Sequence, residues 1–218
     1  VDTNAASSNT ADITIAAITG GSNTLTLTTE NNIANADITA SGAISGVTTL
    51  TLASVGGTAT LSADVDVTTL TVDNTVANVA FTGNGSSVTS AVSFANDGTL
   101  TLGASGGTQT YNAGLTTTSV GSTVTLNGTI ATSNDAVVLG AVTLGSATTI
   151  DTNATDTTGD ITIAAITGGS NNLTLSTGDN IANTDITASG AISGLGNLTL
   201  ADVGGTATFS ANVAAAAL

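Results

Sequence analysis

The feature that most constrains the fold of this chain is an internal repeat. Residues 12–70 align without a gap to residues 160–218, and 44 of the 59 aligned positions are identical. The shared strings include DITIAAITGGSN, from Asp12 and from Asp160, and DITASGAISG, from Asp37 and from Asp185. The match reaches upstream as VDTN at Val1 against IDTN at Ile150. The 218 residues therefore hold about one and a half copies of a 148-residue unit, with residues 71–159 as the stretch between the two equivalent copies. Such self-similarity marks architectures in which each unit buries its apolar face only against its neighbours.

A finer period lies inside the unit. A pattern built on Leu-Thr-Leu, then Gly-Gly-Thr, then an apolar residue runs over residues 49–65, 99–115 and 197–213. Strand centres fall at Leu25, Leu50, Leu70, Leu100, Val124, Val142, Leu173 and Leu198, which predicts a coil of about 25 residues repeated about nine times. Locally the period is two: Ile13-Thr-Ile15, Leu25-Thr-Leu27 and Leu100-Thr-Leu102 put aliphatics on one face of a strand and threonine on the other. Steps such as Gly56-Gly57, Asp97-Gly98 and Asn127-Gly128 separate these runs and read as corners, because Gly and Asn tolerate positive φ. No segment carries a sustained helical period. Short strands, corners and a fixed coil length predict an all-β parallel solenoid, a single segment over residues 1–218. Nine coils at about 4.8 Å each make a rod of roughly 43 Å. Tandem immunoglobulin-like sandwiches, the competing fold, need a longer repeat and core aromatics. The only aromatics here are Phe81, Phe94, Tyr111 and Phe209.

Composition removes most chemistry. Lys, Arg, His and Cys are absent, and fifteen acidic residues give a formal charge of −15. There is no imidazole base, thiol nucleophile, Schiff-base lysine or disulfide. Nothing neutralises phosphate, so nucleic acid and anionic membranes are not expected partners. The apolar residues are dispersed, with no run long enough to insert in a membrane. Charged residues are only 7% and mean hydropathy is +0.40, a balance unlike that of disordered chains. We expect a non-enzymatic chain without a cofactor.

Phrases such as TYNAGLT from Thr110, VTLGSATTI from Val142 and the recurrent LTL resemble the repeat style of large bacterial exoproteins. The resemblance is to filamentous-haemagglutinin-like adhesins and related two-partner-secreted proteins, and it covers essentially the whole chain. It implies a right-handed parallel β-helix, export to the cell surface and a stalk or filament role. The expected function is then a structural rod segment, with self-association by head-to-tail stacking or by continuation of the same chain. An adhesin would place binding outside the segment or in a stretch that breaks the period, such as residues 74–95.

Three residue sets compete with a purely structural reading. Asp64 and Asp66 lie two apart, with Asp73 nearby, and carboxylates so spaced suit Ca²⁺, a hard cation that takes several oxygens. A solvated polar face is the plainer interpretation. Asp151, Asp156 and Asp160 gather at the start of the second copy as a second calcium candidate or a glycosidase-like set. The pairs Thr24/Thr26, Thr49/Thr51, Thr69/Thr71, Thr99/Thr101 and Thr123/Thr125 would stack into a flat T-x-T ladder like that of ice-binding β-helices.

Overall fold

The computed structural model describes residues 1–3, 11–29, 33–178 and 181–218. It is a parallel β-solenoid, as the repeats imply. Every strand pair named among the described residues is parallel, and each turn contributes one strand segment to each of three ladders. The first ladder runs Ile13, Ile38, Ala59, Val79, Leu100, Val124, Val142, Ile166, Ile192 and Val213. The second begins Ile18, Ile44, Val65 and ends through Ile130, Ile150, Leu175 and Leu200. The third begins Leu25, Leu50, Leu70, continues through the Val72–Phe94 bridge, and ends Val137, Ile161, Ile186, Ala207.

Nine turns separate Ile13 from Val213, so 200 residues give about 22 per turn. Individual turns on that ladder range from 18 residues, Val124 to Val142, to 26, Ile166 to Ile192. The mean is shorter than the expected coil because the Leu-Thr-Leu centres do not share one face. Leu25, Leu50 and Leu70 lie on the third ladder, Leu100, Val124 and Val142 on the first, Leu173 and Leu198 on the second. Each change of face adds a third of a turn that counting centres omits. The 148-residue unit has the same property. Ile13 is on the first ladder and its equivalent Ile161 on the third; Ile44 is on the second and its equivalent Ile192 on the first. One unit therefore winds six and two-thirds turns, and identical sequence folds equally well on different faces.

The period-two pattern explains the core. Leu50, Leu52, Ile38, Leu100 and Leu102 point inward and are fully buried, while the residues between them face out. The outward positions form axial ranks of hydroxyls. On the first face the rank is Thr14, Thr39, Thr60, Thr101, Thr125, Thr143 and Thr167, interrupted once by Ala80.

The interior is mostly aliphatic, with buried hydroxyls such as Thr152, Thr177 and Thr184, and it holds a cluster of rings at its middle. There Phe81, Phe94 and Tyr111 are buried together, with Tyr111 6.4 Å from each phenylalanine ring and edge-on to Phe94. Burying a phenol requires a partner for its hydroxyl. Tyr111 donates to Gln109 Oε1 at 2.9 Å, and Gln109 Nε2 donates to the Phe81 carbonyl at 2.8 Å.

Burial pushes the Tyr111 hydroxyl well above its ordinary value of 10.0. A folded-state value above the unfolded one means this contribution to stability is complete below about pH 10 and is lost as pH rises. Tyr111 is the only tyrosine and there is no tryptophan, so phenolate absorbance near 295 nm reports this residue alone. We expect that absorbance to rise only together with loss of β-sheet circular dichroism. Ionisation at ordinary alkaline pH without unfolding would contradict the burial.

The corners are held between turns. Asp37 Oδ1 accepts the Thr58 N–H at 2.7 Å, Asp64 Oδ1 accepts Gly85 N–H at 2.7 Å, and Asp185 Oδ1 accepts Thr206 N–H at 2.7 Å. Asn78 and Asn172 do the same for Thr99 and Asn197, each at 2.9 Å. The glycine of Gly-Gly-Thr follows from this bond. A Cβ at Gly57 would meet the Asp37 carboxylate, and one at Gly205 would meet that of Asp185. Because Asn serves at equivalent corners, the acceptor oxygen matters more than the charge. Asp37→Asn should keep near-native stability, while Asp37→Ala should lose about 1–3 kcal/mol by leaving a donor without its partner. Chemical denaturation checks both, and equal losses would contradict this role.

Candidate functional surfaces

The structure does not bring Asp64, Asp66 and Asp73 into one site. Asp64 sits at the corner between the first and second faces, and its Oδ1 is engaged by Gly85 N–H. Asp66 lies on the outer side of the second face, between Ser45 above and Ser87 below. Asp73 follows strand Val65–Val72 at the corner beyond the third face. Among the described residues no group of three or more acidic side chains is placed to hold a metal ion.

Asp151, Asp156 and Asp160 are separated in the same way. Asp151 Oδ1 accepts the Asn153 N–H at 3.0 Å, and Asp160 Oδ1 accepts the Asp185 N–H at 2.8 Å in the next turn. Asp156 lies on an exposed loop, and its Oδ1 accepts both the Thr158 hydroxyl at 2.6 Å and the Thr158 N–H at 2.9 Å. The Thr158 hydroxyl, then the Asn134 side chain, hold the Asp156 carboxyl below its ordinary value. These are local turn contacts with a role in shaping the corner.

The T-x-T pairs fall on two faces. Thr24/Thr26, Thr49/Thr51 and Thr69/Thr71 stack on the third. Thr101 and Thr125 pair on the first. The pairs thus make two separate blocks rather than one continuous flat array. Residues 74–95 do not form a loop that interrupts the rod. They contain strands Asn78–Phe81, Ser87–Val88 and Val92–Ser93, which are the fourth turn on the three ladders in order. This turn was hard to read because its strands are short and its inward residues include Phe81 and Phe94 in place of the usual aliphatics.

Side grooves are shallow, and two of them are mainly polar. The one at the second face, about 400 Å³, is lined by Ser22, Thr48, Thr68, Ser87 and Thr89 with Asp66 as its single carboxylate. The contrasting surface is the end of the rod after the ninth turn. Leu198, Leu200, Phe209, Val213 and Leu218 form an apolar hollow of about 410 Å³ there. Leu200 is 43% exposed and Leu218 90% exposed. Leu198 is buried like its first-copy equivalent Leu50, but Leu200, Phe209, Val213 and Leu218 are more exposed than theirs, Leu52, Leu61, Val65 and Leu70, which are buried. The sequences are nearly the same, so the difference comes from the neighbouring turn. Strand Asn78–Phe81 covers Thr58–Leu61, whereas nothing in the described structure covers Ala207–Phe209.

The opposite end shows the same effect. Ile15, Ile18 and Leu25 are only partly buried, while their equivalents Ile163, Ile166 and Leu173 are buried. Val1 is 64% exposed, against complete burial of its equivalent Ile150. Among the described residues, apolar side chains are thus least covered in the first and last turns of the stack. Which side chains lie bare there follows from the register and not from the residues alone. No described helix is long and apolar enough to cross a membrane. In comparisons with known proteins, the chain matches no family model, no curated protein and no solved structure.

Proposed function

We propose that this chain is a structural repeat segment of a secreted bacterial surface protein, a rod that lengthens by stacking turn on turn. The observation that carries this reading is the unbroken stacking of parallel turns, with the first ladder running through nine turns from Ile13 to Val213. Three parallel ladders bind every turn to the next, so axial load is shared among many backbone hydrogen bonds. The side surface offers hydroxyl ranks and scattered carboxylates, with no base, thiol or imidazole, which suits a passive scaffold. Absence of Lys and Arg removes every trypsin site from an exposed rod. In this reading the protein acts outside the cell or at its surface, and an adhesive function belongs to domains joined to the rod. The alternative of ice binding draws on the T-x-T blocks, but their division between two faces leaves no single extended array.

Negative-stain imaging of the purified chain across salt and concentration tests the proposal. Unbranched rods of constant width, longer at higher concentration, are the expected result. A chain that stays monomeric under all conditions, with its circular dichroism intact, would overturn it. Freezing hysteresis from such a monomer would favour the ice-binding alternative.

A further inference from the structure

We infer that Asn84 is a modification site at which the chain deamidates itself, with Asp64 as the general base. The inference stands apart from the stacking reading above.

The sequence holds two Asn-Gly steps, Asn84-Gly85 and Asn127-Gly128. Such a step lets an asparagine side chain react with its own backbone, because glycine has no side chain to keep the following nitrogen away from the amide carbon. The fold treats the two steps differently. Asn127 lies within strand Val124–Ala131, which is paired on both sides. Its Nδ2 donates to the Leu102 carbonyl at 3.4 Å, the Gly128 N–H donates to Ser146 Oγ at 3.3 Å, and Gly128 is buried. Closing a ring there would pull the strand out of its ladders. Asn84 lies instead in the exposed bend between strands Asn78–Phe81 and Ser87–Val88. Among the described residues no hydrogen bond holds its side chain.

The neighbour that singles out this bend is Asp64, whose Oδ1 accepts the Gly85 N–H at 2.7 Å. That nitrogen is the nucleophile, and the carboxylate already touches the proton it must lose. Equivalent corner acceptors hold amides that follow a glycine, with no side-chain amide to attack. Asp37 holds Thr58 after Gly57, Asp185 holds Thr206 after Gly205, and Asn78 holds Thr99 after Gly98.

The reaction needs only water. Asp64 takes the Gly85 proton, the Gly85 nitrogen bonds to Asn84 Cγ, and Nδ2 leaves with that proton as ammonia. Water then opens the cyclic imide at one of its two carbonyls. Opening at Cγ leaves aspartate; opening at the backbone carbonyl leaves isoaspartate, with the main chain routed through the former side chain. Either product puts a new carboxylate beside Asp64. Isoaspartate also lengthens the main chain where the Asn84 carbonyl accepts the Thr108 N–H at 2.7 Å, so the hold between these two turns loosens. Conversion accumulates with time and marks the age of a copy.

Peptide mass mapping of the full chain, held in warm neutral buffer, tests this, with cleavage at acidic residues because there is no trypsin site. Acid should build up at Asn84 at least about 10-fold faster than at Asn127, where ladder bonds must open first. Asn84→Gln should remove the signal there and leave Asn127 unchanged. Asp64→Asn keeps an acceptor for Gly85, as Asn78 does for Thr99, but supplies no base. It should slow conversion at Asn84 by about 100-fold, the lower range for a positioned base, without changing Asn127. Circular dichroism of each variant confirms the fold. Conversion at Asn127 as fast as at Asn84, or at neither, would overturn the site. An Asp64→Asn variant that converts as fast as the parent, or faster, would overturn the role of Asp64 and make it a shield of the amide.

Discussion

Gly42→Val should destabilise the rod by more than about 4 kcal/mol, the range reached only when a side chain cannot be accommodated. Gly42 lies at the corner after strand Ile38–Ala40, directly beneath the preceding turn. A Cβ there would overlap the Ala16 carbonyl and press on the Ala17 side chain. The obstacle is backbone, so no rotamer change relieves it, and the two turns would have to separate. Separation breaks neighbouring ladder bonds such as Ser41 N–H to the Ile15 carbonyl at 3.0 Å. The equivalent Gly190 meets the Ala164 carbonyl in the same way at a corner between different faces. Gly190→Val should therefore cost a similar amount, which tests whether the faces are interchangeable. Because a solenoid couples mainly nearest neighbours, hydrogen exchange should quicken around the substituted turn before it does at distant ones. Uniform loss of protection along the chain would contradict this.

Tyr111→Ala should lower stability by about 3–5 kcal/mol, the usual cost of emptying a large aromatic site in a packed core. The substitution removes the ring that touches both Phe81 and Phe94 and leaves Gln109 Oε1 without its donor. Tyr111→Phe keeps the ring and removes only the hydroxyl, so it should cost about 1–3 kcal/mol for the orphaned acceptor. Thermal or chemical unfolding distinguishes the two. A small effect for Tyr111→Ala would mean that the lumen collapses readily around the vacancy.

Much of the fold was legible because two signals agree at every level. Alternation at Leu50-Thr51-Leu52 and Leu100-Thr101-Leu102 fixes which side faces the lumen, and the glycine steps fix the corners. Turn length was read long because threonine-flanked leucines look identical on all three faces. Nothing local distinguishes Leu100 on the first from Leu50 on the third. The corner carboxylates were misleading for a related reason. Asp64 and Asp66 are close along the chain, yet a strand of a solenoid uses adjacent residues for different neighbours: Asp64 reaches to Gly85, and Asp66 pairs across to Ser45 and Ser87. Bonds of this kind link residues 21 or 25 apart, beyond the reach of motif spacing. The exposure of Leu200 and Leu218 was hidden because it depends on the neighbouring turn, not on the residues themselves.

The winding itself is best measured by dipolar distances between spin labels, since the chain has no cysteine and accepts two without background. Thr14, Thr101, Thr143 and Thr167 face outward on the same face, with the last three four, six and seven turns from the first. Labels on Thr14 paired in turn with each should give separations near 19, 29 and 34 Å, apart from the reach of the labels, at about 4.8 Å per turn. Distances that fail to grow with turn number, as in sheets of antiparallel hairpins, would contradict the solenoid and every inference built on it.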